Sequence, residues 1–567
     1  MFRNDLKAGV PGRSGASVDG ITRRRSSLTR WDLAGMLAGF LFTLIVAAVL
    51  QRGRIFWEDE MLGWMMLRDP SWRHMLLAYN AGADGGGFTF YLTGRAWLQL
   101  FGHSALAFRL YSASCFGLAF AVSWAAMRRF YGTGIVAFAL FNTWFFSAPF
   151  VEHMAEGRFY GLLVLGVSLA IWLVFALAEA PRPTPAHFYV LMFGINALLT
   201  TSHLLGVVFS GFLLLATIVL DAQGRRLRPL LYLAGAASWM LLLPERTNIH
   251  ASAAVGKPHF WTIPPGVSGV IAVYTGTSKE MELLLALLFC VAAMVLVLRR
   301  GDPPAPLQTA LAERRPVYVV LVTLLVLLPA AFFAEGLVGT WLFNDRYLLP
   351  LTVGIAYVTV ELVQLIRSNL RLGSNALPVA AERAIGAAVA VVFVVTMMFW
   401  DFRHLRNFSE SPQDYTTQLT AMLPKGLPVV CEDAFCFTDL IGRQHASGVP
   451  FVYLLDWNQS LNPTAPRLEV TQYHLMENWR NVGYFSGSIQ PVGEFLQRNG
   501  QFLVVHTDPF PLNNEPPIIG NPIAERLAHD PAYRVVPFAE LTRYGKRDSV
   551  FLVCRGRCDA VPRLASQ

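Results

Sequence analysis

Charge is scarce in this chain of 567 residues: Asp, Glu, Lys and Arg make up 15% of it, against 54% hydrophobic residues, and mean hydropathy is +0.43. That balance excludes an ordinary water-soluble protein of this length, in which about a quarter of the residues carry charge. The part of the chain after Trp400 has no glycine-rich phosphate loop for nucleotide binding to rest on, and no internal repeat is evident. Cysteine is sparse too, at six residues. None of these has the C-x-x-C and histidine pattern of common zinc modules. The net charge of +8 calls for no nucleic acid partner, because much of it is arginine concentrated in short connections between apolar runs.

Those apolar runs are what the chain has instead. Several reach the roughly 20 residues needed to cross a ~30 Å hydrocarbon core, so the lipid bilayer is the solvent for most of the chain. Spans are expected near 31–50, 104–126, 134–151, 157–178, 186–203, 204–220, 228–244, 281–298, 316–334, 346–366 and 382–400. The fifth and sixth are separated only by His203 and its polar neighbours Thr200, Thr201 and Ser202. The reading is thus a mainly α-helical polytopic membrane protein with about eleven transmembrane helices.

Basic residues in short loops stay cytoplasmic. Arg23, Arg24 and Arg25 mark the N-terminal tail; Arg128 and Arg129, then Arg225, Arg226 and Arg228, then Arg299, Arg300, Arg314 and Arg315, and last Arg367, Arg371 and Arg383 mark alternate loops. The intervening connections 152–157 and 335–345 carry acids and no Lys or Arg. Residues 1–30 therefore form a cytoplasmic tail, 31–402 a transmembrane domain with a first outer loop at 51–103, and 403–567 an extracytoplasmic domain. No cleavable signal peptide is expected, because about thirty mostly polar residues precede a first run long enough to span. The expected location is the inner (plasma) membrane, with the C-terminal domain periplasmic.

After Trp400 the runs LPVVCED, PFVYLLD, QFLVVHTD and SVFLVCRG read as buried strands, and DLIGRQH, TQYHLMENW and NPIAERLAHD have helical spacing. Residues 403–567 are expected to be an α/β domain with a mostly parallel sheet. Four cysteines lie here, Cys431, Cys436, Cys554 and Cys558. Two disulfides, four buried thiols and a zinc site are the alternatives; the oxidising compartment favours disulfides, paired locally as Cys431 with Cys436 and Cys554 with Cys558.

Ionisable groups at membrane depth are costly and point to function when they converge. Arg109, Arg158, His203 and Arg346 all fall near the outer ends of their spans, although each arginine alone is more often a snorkelling or structural residue. Glu361 lies at the opposite end and is given no catalytic role. In the first loop, RIFWEDEMLGWMMLRD places Glu58, Asp59 and Glu60 ahead of a short apolar helix, where helix capping explains acids equally well. The turn in AGADGGGFTFYLTGRAW either bends the chain or lets backbone approach a ligand. The acids of the first loop and His153 are compatible with a divalent metal, but no ligand set has a specific spacing.

In order and topology these segments resemble the C-type superfamily of integral-membrane glycosyltransferases, in the branch of protein O-mannosyltransferases, aminoarabinose transferases and lipopolysaccharide galacturonosyltransferases. The resemblance spans about residues 31–366. Asp59 and Glu60 match the acidic pair after the first span; GGGFTFYLTGRAWLQLFGHSALAFRLYSA resembles the PPLYY-like segment and its arginine-containing helix. AEGRFYGLL, TSHLLG and NDRYLLPL resemble the ARxYxLL, THY and RYLLP stretches. The departures are GGGF at 85–88 in place of His-Pro-Pro-Leu, and Leu204 in place of the THY tyrosine.

The resemblance implies a polyprenyl-phosphate sugar donor, an envelope glycolipid, glycan or protein acceptor, and single displacement with inversion at the outer membrane face. It assigns Asp59 as general base with Glu60 as second choice, Arg158 and Arg346 to the donor phosphate, and Arg109 and His203 to support of the site. A competing class is a polyprenyl-linked sugar or lipid transporter or flippase. Against it, the polar groups gather on one side of the membrane instead of marking a midplane path, and no inverted repeat is evident. A scaffold that only displays the C-terminal domain is a third class, and would not depend on Asp59.

Overall fold

A computed structural model describes residues 28–52, 58–246, 266–275, 279–298, 313–338, 346–371, 419–442, 444–460, 467–507, 522–543 and 546–558, together with the single residues Phe56, Ile249, Phe343 and Thr417. The expected span at 382–400 lies outside the described residues. Among the described residues, five helices are long and apolar enough to cross a membrane, or six if one bent pair counts as a single span.

The first, α1 (Arg30–Leu50), opens with a capping box: Thr29 accepts from the Asp32 backbone, and the Asp32 carboxylate accepts from the Thr29 N–H. The same carboxylate, fully buried, accepts from Arg128 at 2.6 Å and from the Thr133 hydroxyl at 2.9 Å. It thereby ties α1 to the ends of α5 (Ala105–Met127) and α6 (Thr133–Phe146). Small residues let α1 and α5 close up: a Cβ added at Gly39 would stand 2.0 Å from the Phe120 ring, and one at Gly117 would stand 2.6 Å from the Phe40 ring.

Between α1 and α5 the first loop folds as three short helices, α2 (Glu58–Arg68), α3 (Trp72–Asn80) and α4 (Phe88–Phe101). The third expected span is not one straight helix. The chain breaks at Ser147, whose ψ of 107° is extended, and α7 (Ala148–Met154) leaves at 77° to α6. Pro149 explains the break: it has no N–H for the carbonyl four residues back and its ring crowds that carbonyl, so α6 cannot run on through it, whereas in the first turn of α7 no such donor is needed. At the positions of the fourth to sixth expected spans lie α8 (Tyr160–Ala178), α9 (His187–Ser202) and α10 (Gly206–Gln223), of which α8 and α10 are long and apolar enough to cross a membrane.

At the position of the seventh expected span lies α11 (Pro229–Ala237) continued by a 3₁₀ stretch, Ser238–Glu245. Later come α12 (Val267–Thr275) and α13 (Lys279–Leu298); α14 (Arg315–Val322) and α15 (Leu328–Val338) joined through a π turn; and α16 (Leu351–Arg371). The arginines of the basic loops pair at one end of the bundle: Arg228 with Asp221 at 2.7 Å, Arg129 with Glu179 at 3.0 Å and Arg314 with Glu361 at 2.6 Å.

The C-terminal domain carries a six-stranded sheet in the order β3-β2-β1-β4-β6-β5. The strands β1 (Val429–Cys431), β2 (Phe451–Leu455), β3 (Ile489–Pro491) and β4 (Gln501–Thr507) run parallel, and β5 (Tyr533–Arg543) and β6 (Lys546–Arg555) close it antiparallel. Around it pack α17 (Ala434–Ile441), α18 (Arg467–Asn481), α19 (Val492–Arg498) and α20 (Ile523–Ala528). Cys554 and Cys558 form a disulfide. The expected bridge between Cys431 and Cys436 is absent, and both thiols are buried in the core. Asp433 caps α17 through the Cys436 N–H at 2.6 Å, which starts the helix directly after β1 and seats each thiol in core packing.

Candidate active site

The acidic pair after the first span is divided by the helix it opens. Neighbouring residues of a helix point about 100° apart, so Asp59 and Glu60 in α2 face different surroundings. Glu60 turns inward. Its two oxygens accept from Arg109 Nε at 2.8 Å and Nη2 at 2.7 Å, and Oε1 also accepts from the Gly157 N–H at 2.8 Å. Both side chains of this pair are 1% exposed.

Asp59, with 27% of its side chain exposed, faces two other arginines. Its Oδ2 lies 3.3 Å from Arg158 Nη2 and 3.9 Å from Arg346 Nη1. Arg158 stands immediately ahead of α8, and Arg346 lies just ahead of α16, so three separate segments of chain deliver these groups. Arg158 is held from behind: Nη1 donates to the Asp59 carbonyl at 2.6 Å and to Asp84 Oδ1 at 3.0 Å. Its buried Nε has no hydrogen-bond acceptor among the described residues.

Asp84 was not singled out by sequence, yet it organises the turn between α3 and α4. Oδ1 accepts from the Gly85 N–H at 2.7 Å and Oδ2 accepts from the Tyr91 hydroxyl at 2.6 Å, in addition to the Arg158 contact. The turn is pressed against the end of α9, where Gly87 N–H donates to the Ser202 carbonyl at 3.1 Å. A Cβ at Gly87 would stand 2.3 Å from the Thr201 oxygen, which is why glycine is required there.

His203, at the end of α9, has its ring stacked on Phe159 at 4.3 Å and, farther off, on Tyr347 at 6.0 Å, the residues next to Arg158 and Arg346. Its Nδ1 accepts from the Leu205 N–H at 3.2 Å, which leaves Nε2 as the protonated nitrogen of the neutral ring. His153 pairs with Glu156 at 2.6 Å. Among the described residues no group of three or more His, Cys, Asp or Glu side chains is arranged to hold a metal ion.

The C-terminal domain reaches this region through the first loop. Asp69 accepts from the Tyr484 hydroxyl at 2.5 Å, and both nitrogens of His74 face acceptors, Asp69 and the Val482 carbonyl, the latter at 2.6 Å. A ring with acceptors on both sides is held as imidazolium. The Val482 carbonyl, and after it Asp69, accordingly raise the His74 pKa above its usual value despite burial. Burial pushes the Asp69 carboxyl up, but hydrogen bonds from Tyr484, the Ser71 backbone and His74 outweigh it and hold the carboxyl below the usual range.

No protein-family model and no curated protein matches the chain. Solved structures do. The crystal structure of ArnT from Cupriavidus metallidurans bound to undecaprenyl phosphate superposes with a TM-score of 0.52 at 15% identity, covering 92% of this chain and 97% of that one. The apo state of ArnT from the same organism gives a TM-score of 0.52 at 14% identity over 92% and 98%. The chain therefore has an ArnT-like fold along nearly its whole length, a multi-pass membrane domain followed by a sheet-containing domain.

Proposed function

We propose that this protein is an inverting glycosyltransferase that moves a sugar from a polyprenyl-phosphate donor to an envelope glycolipid, glycan or protein acceptor at the outer face of the membrane. The observation that carries the reading is the partly exposed Asp59 carboxylate set against Arg158 and Arg346. Arg158 and Arg346 converge on this carboxylate from separate segments, and the Nε donor of Arg158, unmet among the described residues, is available to an incoming anion. The ArnT-like fold, seen with undecaprenyl phosphate in that protein, supports a lipid-linked phosphate as the anion.

In the proposed reaction the donor phosphate is held by Arg158 and Arg346. Asp59 takes the proton of the acceptor hydroxyl as its oxygen bonds to the anomeric carbon. The bond from that carbon to the phosphate oxygen breaks on the opposite face, and polyprenyl phosphate leaves with the electron pair, stabilised by the guanidinium groups. Glu60 and Arg109, locked to each other, position α2 so that Asp59 projects into the site.

Comparing envelope glycolipids and glycoproteins by mass spectrometry, from cells with and without the gene, identifies the transferred sugar. Purified Asp59→Asn is then expected to lose 10²- to 10⁴-fold in transfer, the usual worth of general-base assistance, with normal insertion and donor binding. Near-normal transfer by both Asp59→Asn and Glu60→Gln would overturn the mechanism.

A further inference from the structure

The segment from α18 to β3 delivers a row of groups onto the first outer loop, and one of them reaches the turn that holds Arg158. Trp479, near the end of α18, is fully buried, and its indole N–H donates to the carbonyl of Ala83 at 2.6 Å, across 396 residues of sequence. Its ring lies nearly parallel to Phe485, at 14° and 5.6 Å, and 4.8 Å from Tyr484. Two aromatic neighbours on its own domain thus fix the direction of the N–H.

Ala83 is itself fully buried, and the next residue is Asp84, whose carboxylate accepts from Arg158 at 3.0 Å and from Tyr91 at 2.6 Å. The turn is held on its other sides by the Ala83 N–H to the Ala78 carbonyl and by the Gly87 N–H to the Ser202 carbonyl, both at 3.1 Å. Removing the indole donor would leave a carbonyl sealed from water beside the residue that aims a guanidinium at the site.

We propose that Trp479 is a positioning residue for the anion site: through Ala83 and Asp84 it sets the placement of Arg158, so that the extracytoplasmic domain completes the site from outside. This inference rests on the function proposed above. It gives that domain a defined part in lipid-phosphate binding, separate from any contact it makes with an acceptor.

The test titrates undecaprenyl phosphate onto the detergent-purified full-length protein. Trp479→Phe, which keeps an aromatic ring and removes the donor, is expected to weaken binding about tenfold, the order expected when a buried carbonyl loses a strong donor. Asp84→Asn should weaken binding at least as much. If Trp479 acts through Asp84, the double variant should bind like Asp84→Asn alone, a non-additivity that a merely structural ring would not produce. Replacing Trp479 with 3-benzothienylalanine, which keeps the bicyclic shape and has sulfur where the N–H was, gives the same reading if Phe disturbs packing.

Unchanged affinity in Trp479→Phe, independent multiplication of the two losses, or failure of both Trp479 replacements to fold would overturn the inference while leaving wild-type binding and the proposed function intact. Absence of binding by the wild-type protein would overturn the proposed function, and this inference with it.

Discussion

Glu60 and Arg109 hold each other through two parallel hydrogen bonds, closed off from solvent, one residue along the helix from the carboxylate that faces the site. Adjacent acids in the sequence are thus separated into an anchor and an exposed group. Removing one member of such a pair leaves an uncompensated buried charge, which typically costs about 3–5 kcal/mol. Glu60→Gln and Arg109→Met are each expected to lower the melting temperature of the purified protein strongly. A double replacement by apolar residues of similar volume should recover much of the loss. Asp59→Asn should leave the melting temperature nearly unchanged, and an equal fall in Asp59→Asn would contradict this division of roles.

In the proposed reaction Arg158 and Arg346 are expected to act before the transition state as well as in it, because a phosphate bound as proposed would already contact them. Arg158→Ala and Arg346→Ala should therefore weaken binding of undecaprenyl phosphate and reduce turnover together, whereas Asp59→Asn affects turnover far more than binding. Binding isotherms and transfer rates measured on the same preparations separate the two patterns. An arginine variant that binds normally and only turns over slowly would remove that arginine from the phosphate site.

Docking of the C-terminal domain on the first loop should depend on pH. The folded-state pKa of His74 is raised, so its contribution is complete below the unfolded value of about 6.5 and is lost as pH rises through the folded value. That of Asp69 is lowered, so its contribution is complete above about 3.9 and is lost as pH falls through the folded value. Protection of the segment around Val482 and Tyr484 in hydrogen exchange should be greatest between these limits and decline on the alkaline side. His74→Gln should flatten the alkaline decline, and a decline that persists unchanged in that variant would assign it to another group.

Of the six cysteines, only Cys554 and Cys558 are bonded to each other. Alkylation of the unfolded protein without reductant should therefore modify four thiols, including Cys431 and Cys436, and all six after reduction. Modification of only two without reductant would restore the second bridge expected from the sequence.

Topology offers a further check. A reporter fused after Gln567 should be active only outside the cytoplasm, and one inserted near Asp302, in an arginine-bearing loop, only within it. The reverse result at either position would move the proposed site to the wrong face of the membrane.

The membrane helices were largely legible because apolar length is a property of composition, and the arginines stood out because charge is rare beside such runs. The break at Ser147 was hidden inside an unbroken apolar run, with Pro149 its only local sign. Four strands were legible as apolar runs. β3 is only three residues long, and β5 carries Pro537 with mixed polarity; both lie at the edges of the sheet, where proline and polar residues are tolerated. Asp84 was masked by its glycine neighbours, which read as turn punctuation. Trp479 is one of 14 tryptophans, on a helix with no local oddity, and only its contact with Ala83 distinguishes it.

The Trp479–Ala83 hydrogen bond also bears on biosynthesis. The loop between α1 and α5 leaves the ribosome early, but the residue that braces its glycine turn is made 396 positions later, after the apolar helices, and must first fold. A chain stalled or cleaved anywhere before α18 can insert its helices and still lack that brace. If Trp479 positions the anion site as proposed, half-built copies would lack full affinity for a lipid phosphate until this last-made part of the protein has docked.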